Sequence, residues 1–182
     1  MVIFCDLDGT LIRTESANAK AYVDALSEFG FEISSDEFCN RYNGLSRKVF
    51  LPEITETSDP NLLDRIWQSK KSLFRNYIDQ TVLITPVHRL LESFVSSGDK
   101  VYLVTTASRE AVDELLSFHQ IQHLFDGIVC GDDVNQHKPA PECYERAMEM
   151  SRSNPSQCLV LEDSDAGVQA AKTANLTVLR LL

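Results

Sequence analysis

Four apolar residues, Val2, Ile3, Phe4 and Cys5, run straight into Asp6, Leu7, Asp8 and Gly9, and no other stretch limits the fold of this chain so strongly. A short apolar block closed by a glycine suits a strand buried on both faces, the habit of parallel sheets covered by helices on either side. Ligands of such sheets bind outside the carboxyl ends of the strands, where Asp6 and Asp8 fall. Two readings fit the pair. The aspartates cap a turn with Gly9, or a cation sits between them, because Mg²⁺ is commonly held by one or two carboxylates together with phosphate. Left unpaired, each charge would raise the pKa of the other. Gly9 lets the backbone approach a ligand, and Thr10 adds a hydroxyl.

After this strand the pattern changes. Residues 14–85 contain no convincing buried strand and read as a run of helices. Ala19, Tyr22, Val23, Leu26 and Phe29 follow the 3.6-residue period and Gly30 closes that helix. Ser34 with Glu37 resembles a capping box, and Asp59 before Pro60 is a helix start. From residue 86 onward helices and strands alternate, with strands expected at 100–106, 126–130, 158–161 and 177–181 and helices at 85–98, 109–120 and 141–151. Strands separated by helices of this length imply βαβ units and a mainly parallel sheet. The expected architecture is therefore α/β: a three-layer, Rossmann-like core of residues 1–13 and 86–182 around a five-stranded sheet, with residues 14–85 inserted as a small helical domain.

Three later stretches reach the same edge of that sheet. Thr105, Thr106, Ala107 and Ser108 end the second strand with hydroxyls and backbone amides; a threonine there also serves simply as a helix cap. Lys138 stands in His-Lys-Pro-Ala-Pro before a helix, where the prolines restrict its movement, although an isolated lysine is more often a solvated side chain. Glu162 and Asp163 end the fourth strand; carboxylates opening a helix also complement its dipole. Gly167, Ala170 and Ala171 permit close packing of that helix.

Composition excludes other classes. The 182 residues are 43% hydrophobic, enough for a real core, and the net charge of -10 with no basic run argues against a nucleic-acid surface. No apolar run approaches a membrane span, and Met1 leads into a strand where a signal peptide would need a longer apolar region. Five cysteines without a CxxC pair suit reduced thiols packed as small apolar residues. The expected protein is cytoplasmic, a monomer or weak dimer, with no nucleic-acid or membrane partner.

The ordered set resembles the four motifs of the haloacid dehalogenase (HAD) superfamily of phosphate-transferring enzymes: DLDGT, Thr106 after an apolar strand, Lys138 in HKPAPE, and Glu162 with Asp163 in LEDSDAG. The resemblance implies a phosphatase in which Asp6 is the nucleophile forming an aspartyl-phosphate and Asp8 the general acid and base. Thr106 and Lys138 would hold the phosphoryl group, with Gly9, Thr10 and Ala107 beside it. Mg²⁺ would be bound by Asp6, the Asp8 backbone carbonyl and Asp163, with Glu162 nearby or replacing it in part. Asp8 sets dehalogenation aside, because the dehalogenases lack that second aspartate.

The helical insertion resembles the family's C1-type cap, and Gly44 to Arg47 (GLSR) resembles the cap loop of β-phosphoglucomutase-like members, where an arginine contacts a substrate phosphate. Arg47 takes that role or is a solvated cap arginine. Where the mutases carry a histidine this chain has Asn18, so a phosphatase of small phosphorylated metabolites is expected before a phosphosugar mutase. A non-catalytic receiver module has similar residues at strand ends, but there the lysine comes last, whereas here an acidic pair follows Lys138. A HAD-like binding protein without activity is the remaining alternative, and the four intact motifs count against it.

Overall fold

In the computed structural model, which describes residues 1–42 and 45–181, the chain divides into two units, Met1–Arg13 with Leu83–Leu182 and the intervening Thr14–Val82. The elements follow in order: β1 (Val2–Cys5), β2 (Ile12–Arg13), α1 (Glu15–Glu28), α2 (Ser35–Tyr42), α3 (Arg47–Thr55), α4 (Pro60–Phe74), β3 (Val82–Leu83), α5 (Thr85–Ser96), β4 (Lys100–Val104), α6 (Arg109–His119), β5 (Gly127–Val129), α7 (Glu142–Ser151), β6 (Cys158–Glu162), α8 (Asp165–Thr173) and β7 (Thr177–Arg180).

The apolar run at the start takes the centre of a five-stranded sheet in the order β5-β4-β1-β6-β7. All four pairings are parallel, and Ile3 stands opposite Val101 on one side and Leu159 on the other. Successive side chains of a strand point to opposite faces. Phe4, Tyr102, Val104, Val129 and Val160 accordingly share one buried cluster with Cys143, Tyr144 and Ala147 of α7 and Ala170 and Ala171 of α8. Ile3, Val101, Leu103 and Leu161 alternate to the other face and are fully buried, and there α5 packs on β4. Burial on both faces is the reason these strands read as continuous apolar runs.

The helical unit has its own aromatic centre. Tyr22 stacks on Phe38 with ring centroids 5.1 Å apart and meets Phe50 edge-on at 4.9 Å, over a floor of fully buried Leu26 and Ile66. Its helix ends follow the sequence signals. Gly30 adopts φ +84 after α1 and the Phe31 N–H donates to the Leu26 carbonyl at 3.0 Å. Asp59 accepts the Asn61 N–H at 3.0 Å to open α4. The capping box at Ser34 is half made, since Ser34 Oγ accepts the Glu37 N–H while the Glu37 carboxylate pairs with Arg41 one turn on.

Several boundaries move. The second core strand stops at Val104 and leaves Thr105 and Thr106 in the following loop, and α5 stops at Ser96. The two-residue strands β2 and β3, which pair as a separate ribbon, are too short to carry any periodicity, and β3, in the segment expected to hold no buried strand, is exposed at Val82 and only partly covered at Leu83.

Candidate active site

Asp6 is the first residue past β1, fixed there by its own N–H, which donates to the Leu161 carbonyl of β6 at 3.0 Å. The chain then turns on itself: the Leu11 and Ile12 N–H groups both donate to the Leu7 carbonyl at 2.9 Å, and Gly9 bends through φ +81. A side chain at Gly9 would start 2.2 Å from Asp163 Oδ2, so only glycine lets the two loops meet. Thr10, fully buried, donates to Asp163 Oδ1 at 2.9 Å. The hydroxyl of the DLDGT stretch thus orients the carboxylate of the last acidic pair, 153 residues away.

Lys138 arrives from the loop before α7. Its ammonium donates to Asp6 Oδ1 at 2.6 Å, to the Val104 carbonyl at 3.0 Å and to Glu162 Oε1 at 2.7 Å. The lysine is therefore a buried bridge and not a solvated side chain. Burial opposes its charge, yet Asp6, Tyr144 and Glu162 outweigh that and hold its pKa well above the ordinary value. The loop carrying it is tied to α7 by Glu142, which accepts the N–H groups of Asn135 and Gln136.

Glu162 is fully buried and its second oxygen is also occupied, accepting from the Ser164 N–H at 2.9 Å and the Ser164 hydroxyl at 3.0 Å. Gly167 makes room for this carboxylate, because a Cβ there would lie 1.6 Å from Glu162 Oε1.

The site is electrostatically unbalanced. Burial, opposed by Lys138 and reinforced by Glu162 and Asp8, pushes the Asp6 carboxyl up to about 7. Carboxylate oxygens of Asp6, Glu162 and Asp163 lie within 4.8 Å of one another. An all-oxygen donor set of this kind fits a hard divalent cation such as Mg²⁺. Asp6, Asp163 and the backbone carbonyl of the adjoining Asp8 would hold it. Glu162, with both oxygens engaged by Lys138 and Ser164, is the least available of the expected ligands.

The other expected residues are less drawn together. Thr106 is exposed on the loop after β4, and it is buried Thr105 whose hydroxyl accepts the Ala107 N–H at 3.1 Å. This loop is anchored by the Gly131 N–H donating to the Ala107 carbonyl at 2.7 Å. In the helical unit, the Arg47 guanidinium lies 4.7 Å from the Trp67 ring centroid. Asn18 donates to the Thr14 hydroxyl at 3.1 Å and its Oδ1 accepts from Lys70 at 2.5 Å. Gly44, where the expected cap loop begins, lies outside the described residues.

Sequence reasoning missed the Val104 carbonyl, Ser164 and Lys70. The carbonyl has no signal in side-chain patterns. Ser164 carried one, since serine before a helical run is a cap; it caps α8 through the Gly167 N–H while also holding Glu162. Lys70 sits on the apolar stripe of α4 between Ile66 and Phe74, and is buried against the rings of Tyr22, Trp67 and Phe74.

The family model for haloacid dehalogenase-like hydrolases matches residues 2–181. The chain is 31% identical over 176 residues to fructose-1-phosphate phosphatase YqaB of Escherichia coli, covering 94% of this chain and 90% of that protein. It is 32% identical over 181 residues to a phosphorylated carbohydrates phosphatase of Thermotoga maritima, covering 96% and 81%. Among solved structures, CbbY from Rhodobacter sphaeroides in complex with phosphate superposes with a TM-score of 0.83 at 25% identity, covering 100% of this chain and 86% of that one.

Two expectations follow from the electrostatics. Lys138→Met leaves Glu162 and, above about pH 7, Asp6 as buried carboxylates without their counter-ion, and should destabilise the metal-free protein by about 3–5 kcal/mol in urea unfolding above that pH; a cost below about 1 kcal/mol would mean the bridge contributes little. The second concerns pH. Asp6 holds its proton to about 7 when folded, against 3.8 as the ordinary value, so between those values the folded state binds more protons and stability falls as pH rises. Asp6→Asn removes that loss. Measured in chelator, its stability relative to wild type should grow from about pH 4 to about pH 7; a difference independent of pH would contradict the raised value.

Proposed function

The chain belongs to the haloacid dehalogenase-like hydrolase family, and from that membership we propose that it is a Mg²⁺-dependent phosphatase that hydrolyses a small phosphorylated metabolite through an aspartyl-phosphate intermediate. The observation that carries this reading is the buried ammonium of Lys138 joined to Asp6 inside a cluster of acidic groups. Such a site favours a phosphoryl group, which brings oxygens for the lysine, and a cation, which offsets the carboxylates.

Uncatalysed phosphate monoester hydrolysis is so slow that rate enhancements reach on the order of 10²¹, most of it from positioning and charge neutralisation. An Asp6 oxygen attacks phosphorus while the ester P–O bond breaks. The departing oxygen takes the proton of the Asp8 carboxyl group. In the second half, the Asp8 carboxylate accepts a proton from water, that water oxygen attacks phosphorus, and the bond to Asp6 breaks to release inorganic phosphate. Lys138, beside the attacking carboxylate at 2.6 Å, places positive charge next to the phosphoryl oxygens. Mg²⁺ would be held by Asp6, Asp163 and the backbone carbonyl of Asp8, which leaves the Asp8 carboxyl free for proton transfer, and would supply further positive charge to those oxygens when bound. Glu162 keeps Lys138 in place, and Thr10 keeps Asp163 turned inward. Thr106 and Ala107, on the loop anchored to Gly131, are read as phosphoryl-oxygen donors.

The substrate class rests on the helical unit, read as a C1-type lid. The Trp67 indole gathers three cations, with Arg47 at 4.7 Å, Lys70 at 5.5 Å and Lys71 at 5.9 Å from its centroid. Among the described residues no carboxylate pairs with Arg47 or Lys71. In a protein of net charge -10, such a group suits a second anionic group on the substrate, and an arginine can take it bidentately. Relatives named for fructose 1-phosphate and for phosphorylated carbohydrates support a phosphosugar or similar small metabolite. Asn18 supports water over a sugar hydroxyl as the final acceptor, because an amide neither gives nor takes a proton near neutrality. No helix among the described residues is long and apolar enough to cross a membrane, and all five cysteines are free. The reading includes a cytoplasmic location and a monomer or weak dimer.

Hydrolysis of an aryl phosphate should require Mg²⁺ and disappear on exhaustive chelation, and Asp6→Asn should abolish it with the fold intact by circular dichroism. Activity that survives chelation would remove the metal from the mechanism. Arg47→Ala should lower kcat/KM by about 10-fold or more on the best phosphorylated metabolite while leaving the aryl phosphate within about twofold, as expected when one charged contact is lost. Equal losses on both substrates would take Arg47 out of substrate recognition.

A further inference from the structure

The mechanism leaves one group beside Lys138 without a task. Tyr144, on α7, is fully buried, and its ring centroid lies 5.2 Å from the Lys138 ammonium. A buried tyrosine hydroxyl usually finds a hydrogen-bond partner; this one has none among the described residues. No hydrogen bond of its own therefore fixes the phenol in place. The ring is placed by packing, tilted against Phe4 of β1 at 6.3 Å, and Phe4 in turn meets Tyr102 of β4 edge-on at 6.1 Å. The strand that presents Asp6 and the ring that faces Lys138 thus share one aromatic stack.

An ammonium has three N–H donors, and those of Lys138 go to Asp6, Val104 and Glu162. An arriving phosphoryl group must draw the lysine partly off these acceptors, and what then keeps the ammonium from drifting is the surface beside it. We propose that Tyr144 is a positioning residue for catalysis, its π face holding the Lys138 ammonium against Asp6 as the phosphoryl group is bound. The proposal rests on the phosphatase reading for its kinetic consequence but not for the contact itself. Inside a dry core a cation–π contact of this kind corresponds to about 10- to 30-fold in an equilibrium or a rate.

The experiment compares Tyr144→Phe, which keeps the ring and removes the orphaned hydroxyl, with Tyr144→Leu, which keeps the apolar bulk and removes the ring. Tyr144→Met serves the same comparison should the leucine variant not fold. At a temperature where all are fully folded, kcat on an aryl phosphate should stay within about twofold for the phenylalanine variant and fall about 10- to 30-fold for the leucine variant. Tyr144→Phe should also raise the melting temperature. A packing role alone would leave the folded variants with equal kcat, and that result overturns the proposal.

A second readout does not depend on turnover. In a double-mutant cycle of urea unfolding on the metal-free protein, Tyr144→Leu should cost about 10- to 30-fold less in the unfolding constant on the Lys138→Met background than on wild type. Additive effects would mean that ring and ammonium do not interact. Absence of any turnover in wild type would count against the phosphatase reading and leave the cycle to judge the contact.

Discussion

The side chain of Lys138 is only 4% exposed, and the three acceptors around its ammonium come from three neighbouring strands: Asp6 just past β1, Val104 at the end of β4 and Glu162 at the end of β6. Taking one ammonium and two carboxylates out of water costs several kcal/mol per ion before any attraction is counted. Such an arrangement persists only if its partners are held in place by something else. Asp6 is held by the backbone of β6, Glu162 by both groups of Ser164, and the lysine's own loop by Glu142. The ion cluster is therefore less a source of stability than a load that the surrounding hydrogen bonds carry.

Sheet topology explains why these groups can meet at all. The chain moves outward from β1 to β4 and β5, then returns across it to β6 and β7, so β1 lies where the winding reverses. Loops at such a point diverge and leave a crevice at the carboxyl ends of the strands. Asp6, Asp8, Val104, Glu162 and Asp163 all fall at that end, and Lys138 reaches it from a loop after β5. Parallel pairing in register keeps the ends level, with Cys5 opposite both Leu103 and Leu161. A one-residue slip would turn each of these side chains to the other face of the sheet.

Much of this was legible in the chain itself. The doubly buried strands announce themselves as VIFC, VYLV and CLVL because a strand covered on both faces has no polar side to show. The residues that end them were readable because charged groups placed directly after such runs have few reasons to be there. What escaped falls into two kinds. Strands β2 and β3 have two residues each, below the length at which alternation exists, and α3 continues through Pro52, a residue that removes a helical N–H donor. Ser164 and Gly167 look like ordinary helix-start residues, and their service to Glu162 depends on distances of atoms that no spacing rule encodes. In the helical unit Lys70 could have been noticed, since a lysine on an apolar stripe needs partners, here aromatic rings and Asn18.

Gly167 carries a consequence for anyone redesigning this protein. A glycine in the first turns of a helix is an obvious place to engineer thermal robustness, because alanine there normally gains about 0.5–1 kcal/mol through backbone entropy. In α8 the added methyl would fall 1.6 Å from Glu162 Oε1, inside the carboxylate that holds the lysine. Relief would require the carboxylate to move, and Lys138 and Ser164 with it. Propensity-guided stabilisation would thus trade away the charge arrangement of the site from a position that looks, in the sequence, like an ordinary residue of the first turn of a helix.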